Sequence, residues 1–244
     1  MNPDYLIPVC LAVMVIAFLF ASVGQAGASG YIAVMALFSF APETIRPTAL
    51  VLTILVALQG SYQFWRAGHV SWPLFWPLAA ASVPCAFLGG YLNLPPRMLN
   101  LLLGALLLYS AGWLLIRPPP ERSPRLPSLP TTLSAGGVLG FLAGLTGTGA
   151  GIFLTPLMIL RGWCSTKTAA AVSTLFILAN AVAGLLGNVS STRHFPTFAL
   201  ALAVAAVAGG ATGSYLGSRR FSPHVIKRLL AVVLAIAGLK LVLT

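Results

Sequence analysis

Residues 143–156 read AGLTGTGAGIFLTP, and residues 21–31 read ASVGQAGASGY. Both stretches interrupt strongly apolar runs, and both crowd glycines beside small polar residues. One glycine costs a helix about 1 kcal/mol relative to alanine, so several together predict a broken helix. A short apolar stretch follows each break, 31–40 after the first and 151–160 after the second. Glycines of this kind serve one of two ends inside a membrane. They let helices approach closely, or they free backbone that must be buried in protein or face a water-filled cavity. The second use is a binding site.

The solvent for these breaks is lipid. Of 244 residues, 58% are hydrophobic and 7% charged, with a mean hydropathy of +0.95. A soluble domain carries about a quarter charged residues, and this chain could not cover its surface in water. Apolar segments near 5–22, 48–65, 72–92, 98–116, 131–147, 168–188, 196–217 and 228–243 match the roughly 20 residues that a spanning helix needs. The expected class is an all-α polytopic membrane protein of about eight hydrophobic segments, multi-pass in a cell membrane and, by its size and kind, the bacterial inner membrane. Residues 1–5 carry Asp4 and no Lys or Arg, whereas a secretory leader is basic, so the first segment is expected to stay as a span. The net charge of +11 comes from 14 Lys and Arg set almost entirely in short loops. That distribution sets membrane orientation and excludes a nucleic-acid groove. Trp65, Trp72, Trp76, Trp113 and Trp163 lie near segment ends, as an interfacial aromatic belt requires. Cys10, Cys85 and Cys164 have no metal-ligand spacing and read as small buried hydrophobes.

The stretch RPPPERSPRLPSLP at 117–130 cannot hold a helix. It divides the chain into a first transmembrane repeat at 1–117, a Pro-rich cytoplasmic linker at 118–130 and a second repeat at 131–244. Offsets of about 121 to 127 residues superpose the halves, the internal symmetry that transporters often carry. Phe18-Leu19 and Gly24 fall on Phe141-Leu142 and Gly147, Arg46 through Gln59 on Lys167 through Asn180, Gly89 and Tyr91 on Gly213 and Tyr215, and Pro96 on Pro223. Two topologies are open. If each broken stretch crosses once, the cations divide eight against six. If each is a hairpin returning to its starting side, Arg66, Arg117, Arg122, Arg125, Arg161, Lys167, Arg219, Arg220, Lys227 and Arg228 share one face, ten against four. The larger bias favours hairpins, and with them inverted repeats and both termini outside.

A helix restarting at about Gly30 or Gly151 presents unpaired N–H groups and a positive dipole end, a geometry that holds an anion without a buried cation. The candidate binding set is Ser22, Gly24, Gln25, Gly27, Ser29 and Gly30 in the first break and Thr146, Gly147, Thr148, Gly149 and Gly151 in the second, with Thr155 as a further donor. Gln59 and Asn180 are equivalent across the repeat and lie within apolar helices, facing a cavity or bonding helix to helix. Arg46 and Lys167 precede the matched helices and either attract the anion or snorkel to the interface. The only acidic residues are Asp4, Glu43 and Glu121, and none lies in a clear span. A carboxylate proton relay is not expected, and His69, His194 and His224, all in loops, are either ordinary interfacial histidines or the titratable groups left for ion coupling. No nucleophile–base pair or metal set points to an enzyme, and no metal or cofactor is expected. The nearer rival to a carrier is an anion channel. The expected partners are a small anionic substrate and the bilayer, with no nucleic acid; coupling ion and homo-oligomeric state stay open.

GVLGFLAGLTGTGAGIFLTPLMIL at 137–160 resembles the second-half signature of the TauE/SafE family of sulfite-exporter-like membrane proteins. GQAGASGYIAVMALFSFAPETIRPTALVL at 24–52 is similar to one branch of that family, departing from its usual triple-glycine form at Gln25, Ala26, Ala28 and Ser29. The resemblance covers essentially the whole chain. It implies an integral membrane carrier of small sulfur-containing or organic anions such as sulfite, sulfonates or sulfoacetate.

Overall fold

The computed structural model describes residues 6–91, 105, 108–112, 126–146, 151–192 and 200–243, and all their regular structure is helical. The helices are α1 (Leu6–Ser22), α2 (Ala28–Leu37), α3 (Pro42–Arg66), α4 (Trp72–Tyr91), α5 (Leu129–Thr146), α6 (Gly151–Leu160), α7 (Thr166–Thr192), α8 (Leu200–Tyr215) and α9 (Pro223–Leu243). Of the predicted 98–116 segment, 105 and 108–112 are described and helical. The predicted linker is described only from 126 onward. Pro42 and Pro223 open their helices in the first turn, where a missing N–H is harmless and φ is already set. The last helix therefore starts five residues before the expected 228. A π-helical turn, Leu216–Arg220, extends α8. The stretches Pro47–Arg66, Trp72–Tyr91, Thr166–Gly187 and Leu200–Arg220 are long and apolar enough to cross a bilayer, and α1, α2, α5 and α6 are shorter apolar helices. Leu11, Val15, Val138, Leu186, Val204 and Ile236 are all more than half exposed, a surface suited to lipid. The protein is a polytopic helical membrane protein.

Glycine stripes set the direction of each helix. Added Cβ atoms at Gly209, Gly213 and Gly217 of α8 and its π turn would run into the carbonyls of Met14, Phe18 and Ser22 of α1. The numbers rise together, so α1 and α8 are parallel. In the same way Gly136, Gly140 and Gly144 of α5 meet Leu78, Ser82 and Ala86 of α4, a second parallel pair. Gly60 of α3 faces Thr174 and Ser214, and Gly210 faces Val56, which makes α3 parallel to α8. Against α7 the order reverses: Gly60 meets Thr174, while Phe64 packs with Ala170 and Ala171. Asn180 bonds Ser82 and Gly90 meets Gly184, so α7 runs with α4. Hence α1, α3 and α8 point one way and α4, α5 and α7 the other. Because α1 and α3 share a direction, α2 carries the chain back, and α6 does the same between α5 and α7.

These directions gather Arg66, Arg161, Lys167, Arg219, Arg220, Lys227 and Arg228 at one end of the molecule, with the helix positions of Arg46 and Lys240 at the other. Among the described residues that is seven against two. Trp65, Trp72 and Trp76 are exposed toward the cation-rich end, as a belt requires. Trp163 departs from that expectation. It is 7% exposed and sits in the largest core cluster with Leu139, Ile159 and Met158, because the turn after α6 folds it back onto the helix end. Trp113 lies outside the described residues.

Candidate functional site

The first break is a tight turn between α1 and α2. Gly24 and Gly27 both adopt left-handed backbone, φ 77° and 78°, which an L side chain rarely tolerates. A Cβ on Gly24 would also lie 2.5 Å from Ala170 of α7. Gly27 caps α2 without a side-chain hydrogen bond, so the helix restarts at Ala28, two residues before the expected Gly30. The first-turn N–H groups of α2 have no acceptor within the helix. Opposite them α6 opens at Gly151, packed on Ile177 and the Ser173 carbonyl. Gly24 lies against Ala170 and bonds Thr174, while Gly151 lies against Ser173 and Ile177. The two restarts therefore meet α7 at nearly the same level and point in opposite directions.

Gln25 joins them. Its Nε2 donates 3.0 Å to the Gly151 carbonyl and 2.7 Å to Thr155 Oγ1, with the side chain 2% exposed. A carbonyl only accepts, so the amide orientation is fixed by this bond. Thr155 Oγ1 lies 2.7 Å from Ser173 Oγ and 3.1 Å from the Gly151 carbonyl. Thr174 shares its hydroxyl between the carbonyls of Gly24, 3.0 Å, and Ala170, 2.8 Å. The first break, the start of α6 and the first third of α7 thus form one buried polar network.

Among the described residues, several buried polar atoms lack a hydrogen-bond partner: Tyr31 Oη, Thr48 Oγ1, Thr53 Oγ1, Ser61 Oγ, Gln59 Oε1 and Asn180 Oδ1. Tyr31, Thr48 and Thr53 are fully buried. The Tyr31 ring folds back over the turn, with Oη 3.0 Å from where a Cβ of Gly27 would stand. Thr53 precedes Gly60 by seven residues, almost two helical turns, and so shares the α3 face that meets α7. An unsatisfied buried hydroxyl costs about 1–3 kcal/mol; Tyr31, Thr48, Thr53 and Ser61 carry such groups, whereas the Gln59 and Asn180 amide oxygens are open acceptors.

The sequence of this membrane-buried, twice-broken helical chain matches the profile described as Sulfite exporter TauE/SafE over residues 9–241. The chain belongs to the TauE/SafE family. It is 39% identical over 241 residues to "Probable membrane transporter protein y4hK" of Sinorhizobium fredii, covering 96% of this chain and 97% of that protein. It is 26% identical over 238 residues to "Probable membrane transporter protein YjnA" of Bacillus subtilis, covering 90% and 92%.

In this TauE/SafE member the remaining expected site residues divide by position. Ser22 directs its hydroxyl to the Leu19 carbonyl at 2.7 Å, inside its own helix, and Ser29 is buried in the first turn of α2. Gly30 is packed under Ile16. Thr146 ends α5, and Gly147, Thr148 and Gly149 lie outside the described residues. Asn180 Nδ2 donates to Ser82 Oγ, 3.1 Å, and to the Phe176 carbonyl, 2.7 Å, joining α7 to α4. Gln59 lies beside Gly210 of α8. Of this pair Asn180 ties its helix to a neighbour by a hydrogen bond, whereas the Gln59 amide oxygen packs on α8 unpaired. Arg46 occupies the first turns of α3 and Lys167 the first turn of α7, at opposite ends of the molecule. His69 places Nε2 3.1 Å from the Ser218 carbonyl in the π turn, His224 is in the first turn of α9, and His194 is outside the described residues. Tyr31, Thr53, Ser173 and Thr174 were not singled out by sequence reasoning. The hydroxyl pair Ser173-Thr174 in a very apolar helix, and the repeat equivalence of Thr174 to Thr53, were the available signals.

Proposed function

We propose that this protein is a membrane transporter of small anions, of the sulfite, sulfonate or related organic-anion class, in the bacterial inner membrane. The observation that carries the reading is the meeting of the first glycine break with the start of α6 through Gln25, beside unpaired buried hydroxyls. Two helix N-termini meet there, and their dipoles and first-turn N–H groups favour negative charge without a buried Arg or Lys. Each dipole end contributes about 0.3–1 kcal/mol when exposed and up to ~2 kcal/mol when partly buried. Tyr31 and Thr53 supply neutral donors. The family's description supports the sulfur oxyanion, and the relatives' names support transport over catalysis.

The halves 1–117 and 131–244 act in this reading as inverted repeats, joined by a cytoplasmic linker, with each broken stretch a hairpin whose tip reaches the middle of the membrane. The pairing of helices supports it: exchanging the halves turns α1 against α8 into α5 against α4, and α3 against α8 into α7 against α4. Even a single contact repeats, Gly213 on the Phe18 carbonyl and Gly89 on the Phe141 carbonyl. The cation-rich end is then cytoplasmic.

Reconstituted protein tests the function. Uptake into proteoliposomes should saturate with sulfite or a small sulfonate and be competed by other compact anions, while a neutral isostere such as a sulfone should not compete. Linear, unsaturable flux would make it a channel, and equal competition by the sulfone would overturn the anion site.

A further inference from the structure

We propose that a cavity on the outer side of α5 and α6 binds the phosphate headgroup of an anionic phospholipid from the leaflet at the cation-rich end. The cavity measures about 320 Å³ and is lined by Thr131, Ser134, Val138, Leu157, Arg161 and Trp163. Its geometry comes from how α6 ends. Gly162 takes a left-handed conformation, φ 65°, and the N–H groups of Gly162 and Trp163 bond the carbonyls of Ile159, 3.1 Å, and Met158, 2.9 Å. This is a Schellman cap. It turns the indole back into the core and leaves Arg161 exposed at the rim.

The lining is graded as a lipid is. Arg161, Thr131 and Ser134 stand at the cation-rich end, and Val138 and Leu157 lie deeper. From Thr131 to Val138 the helix advances about 10 Å, enough to pass from the headgroup layer, roughly 5–8 Å thick on each side, into the hydrocarbon. Arg161 suits a phosphate, which it can hold through two parallel N–H groups. Among the described residues no carboxylate competes for it: Glu43, the acidic residue in a described helix, starts α3 at the opposite end. The cation-rich end as a whole draws anionic lipid.

The cavity is separate from the transport site. Val138 is 62% exposed, on the face of α5 opposite the glycines that meet α4. Leu157 and Thr155 are two residues apart, roughly 200° around the helix, so α6 turns Thr155 to Gln25 and Leu157 outward. Leu154 and Met158, both fully buried, lie between.

Detergent-purified, delipidated protein gives the test, read by native mass spectrometry and by thermal unfolding. Phosphatidylglycerol should remain bound and raise the melting temperature, whereas phosphatidylcholine should do neither. Glycerol 3-phosphate separates the headgroup from the lipid and should have no effect at the same concentration. Arg161→Gln should weaken phosphatidylglycerol binding about tenfold or more, the scale of a lost charge-assisted hydrogen bond, with partial recovery in Arg161→Lys. Val138→Trp, at an exposed position, should fill the cavity and reduce binding without unfolding the protein. Equal retention of the two phospholipids, or full binding by both Arg161→Gln and Val138→Trp, overturns the assignment. Full stabilisation by glycerol 3-phosphate alone would make the cavity a free-phosphate site and overturn it equally.

Discussion

The two central helices, α3 and α7, are equivalent across the repeat and differ in one respect. Both carry polar side chains at matched places, Thr53 with Thr174 and Gln59 with Asn180, all buried except the half-buried Gln59. On α7 the hydroxyls are used: Ser173 by Thr155, and Thr174 by Gly24. On α3, Thr48, Thr53 and Ser61 have no partner. Since an unpaired buried hydroxyl opposes folding, the pairing on α7 serves the scaffold, and the open groups on α3 are suited to a ligand. Matched sequence positions thus differ in whether their hydroxyls are paired.

Five substitutions press on that contrast. Gly151→Leu should have the largest effect, because any side chain there meets Ile177 and the backbone of α7 at the start of α6. Overpacking of this kind costs about 1–3 kcal/mol, and we expect loss of saturable uptake with the protein still inserted. Unchanged affinity in a folded variant would remove α6 from the site. Next, Gln25→Glu sets a carboxylate against the Gly151 carbonyl and adds negative charge where the anion should sit. Anion affinity should fall by about tenfold or more, measured by uptake competition, and a rise in affinity would contradict the assignment.

The sharpest comparison pairs Thr174→Val with Thr53→Val. Thr174→Val leaves the Gly24 carbonyl unpaired and should lower stability by about 1 kcal/mol, visible as an earlier thermal transition. Thr53→Val removes an unsatisfied hydroxyl, so the ligand-free protein should be as stable or more so, while anion affinity drops. Equal destabilisation by both would erase the distinction between the helices. The smallest effect belongs to Tyr31→Phe, which deletes only Oη. A severalfold loss of affinity, about 0.5–1.5 kcal/mol for one neutral hydrogen bond, should come with no loss of melting temperature.

Much of this architecture was legible in the residues. Long apolar runs mark the spans, and crowded glycines mark the breaks, because both signals are local. The direction of the helices was legible only through loop cations, and Arg66 decides it: it joins Arg161 and Lys167 at one end only if the first break turns back. The site was read in part. Gln25 stood out as a polar residue among glycines, but its reach to Gly151 and Thr155 spans 126 and 130 residues, and no local pattern encodes a partner that distant. Tyr31 looked like any aromatic in an apolar helix, since pairing is a property of the surroundings. Trp163 was assigned to the interface by its place at a segment end, and the cap after Leu160 buries it instead.

The parallel pairs have a consequence for how the chain is made. The glycines of α8 receive α1, and those of α5 receive α4, so each half lends helices to the other. When the ribosome has released the first repeat, the Met14–Phe18–Ser22 face of α1 still has no glycine surface to close on, because each of its glycine partners, Gly209, Gly213 and Gly217, lies 195 residues further along the chain. Domains generally fold as units during synthesis, but here neither repeat is such a unit. A nascent chain halted after residue 117 would hold its spans in lipid with their tightest seams open, exposed to quality-control proteases until α8 arrives.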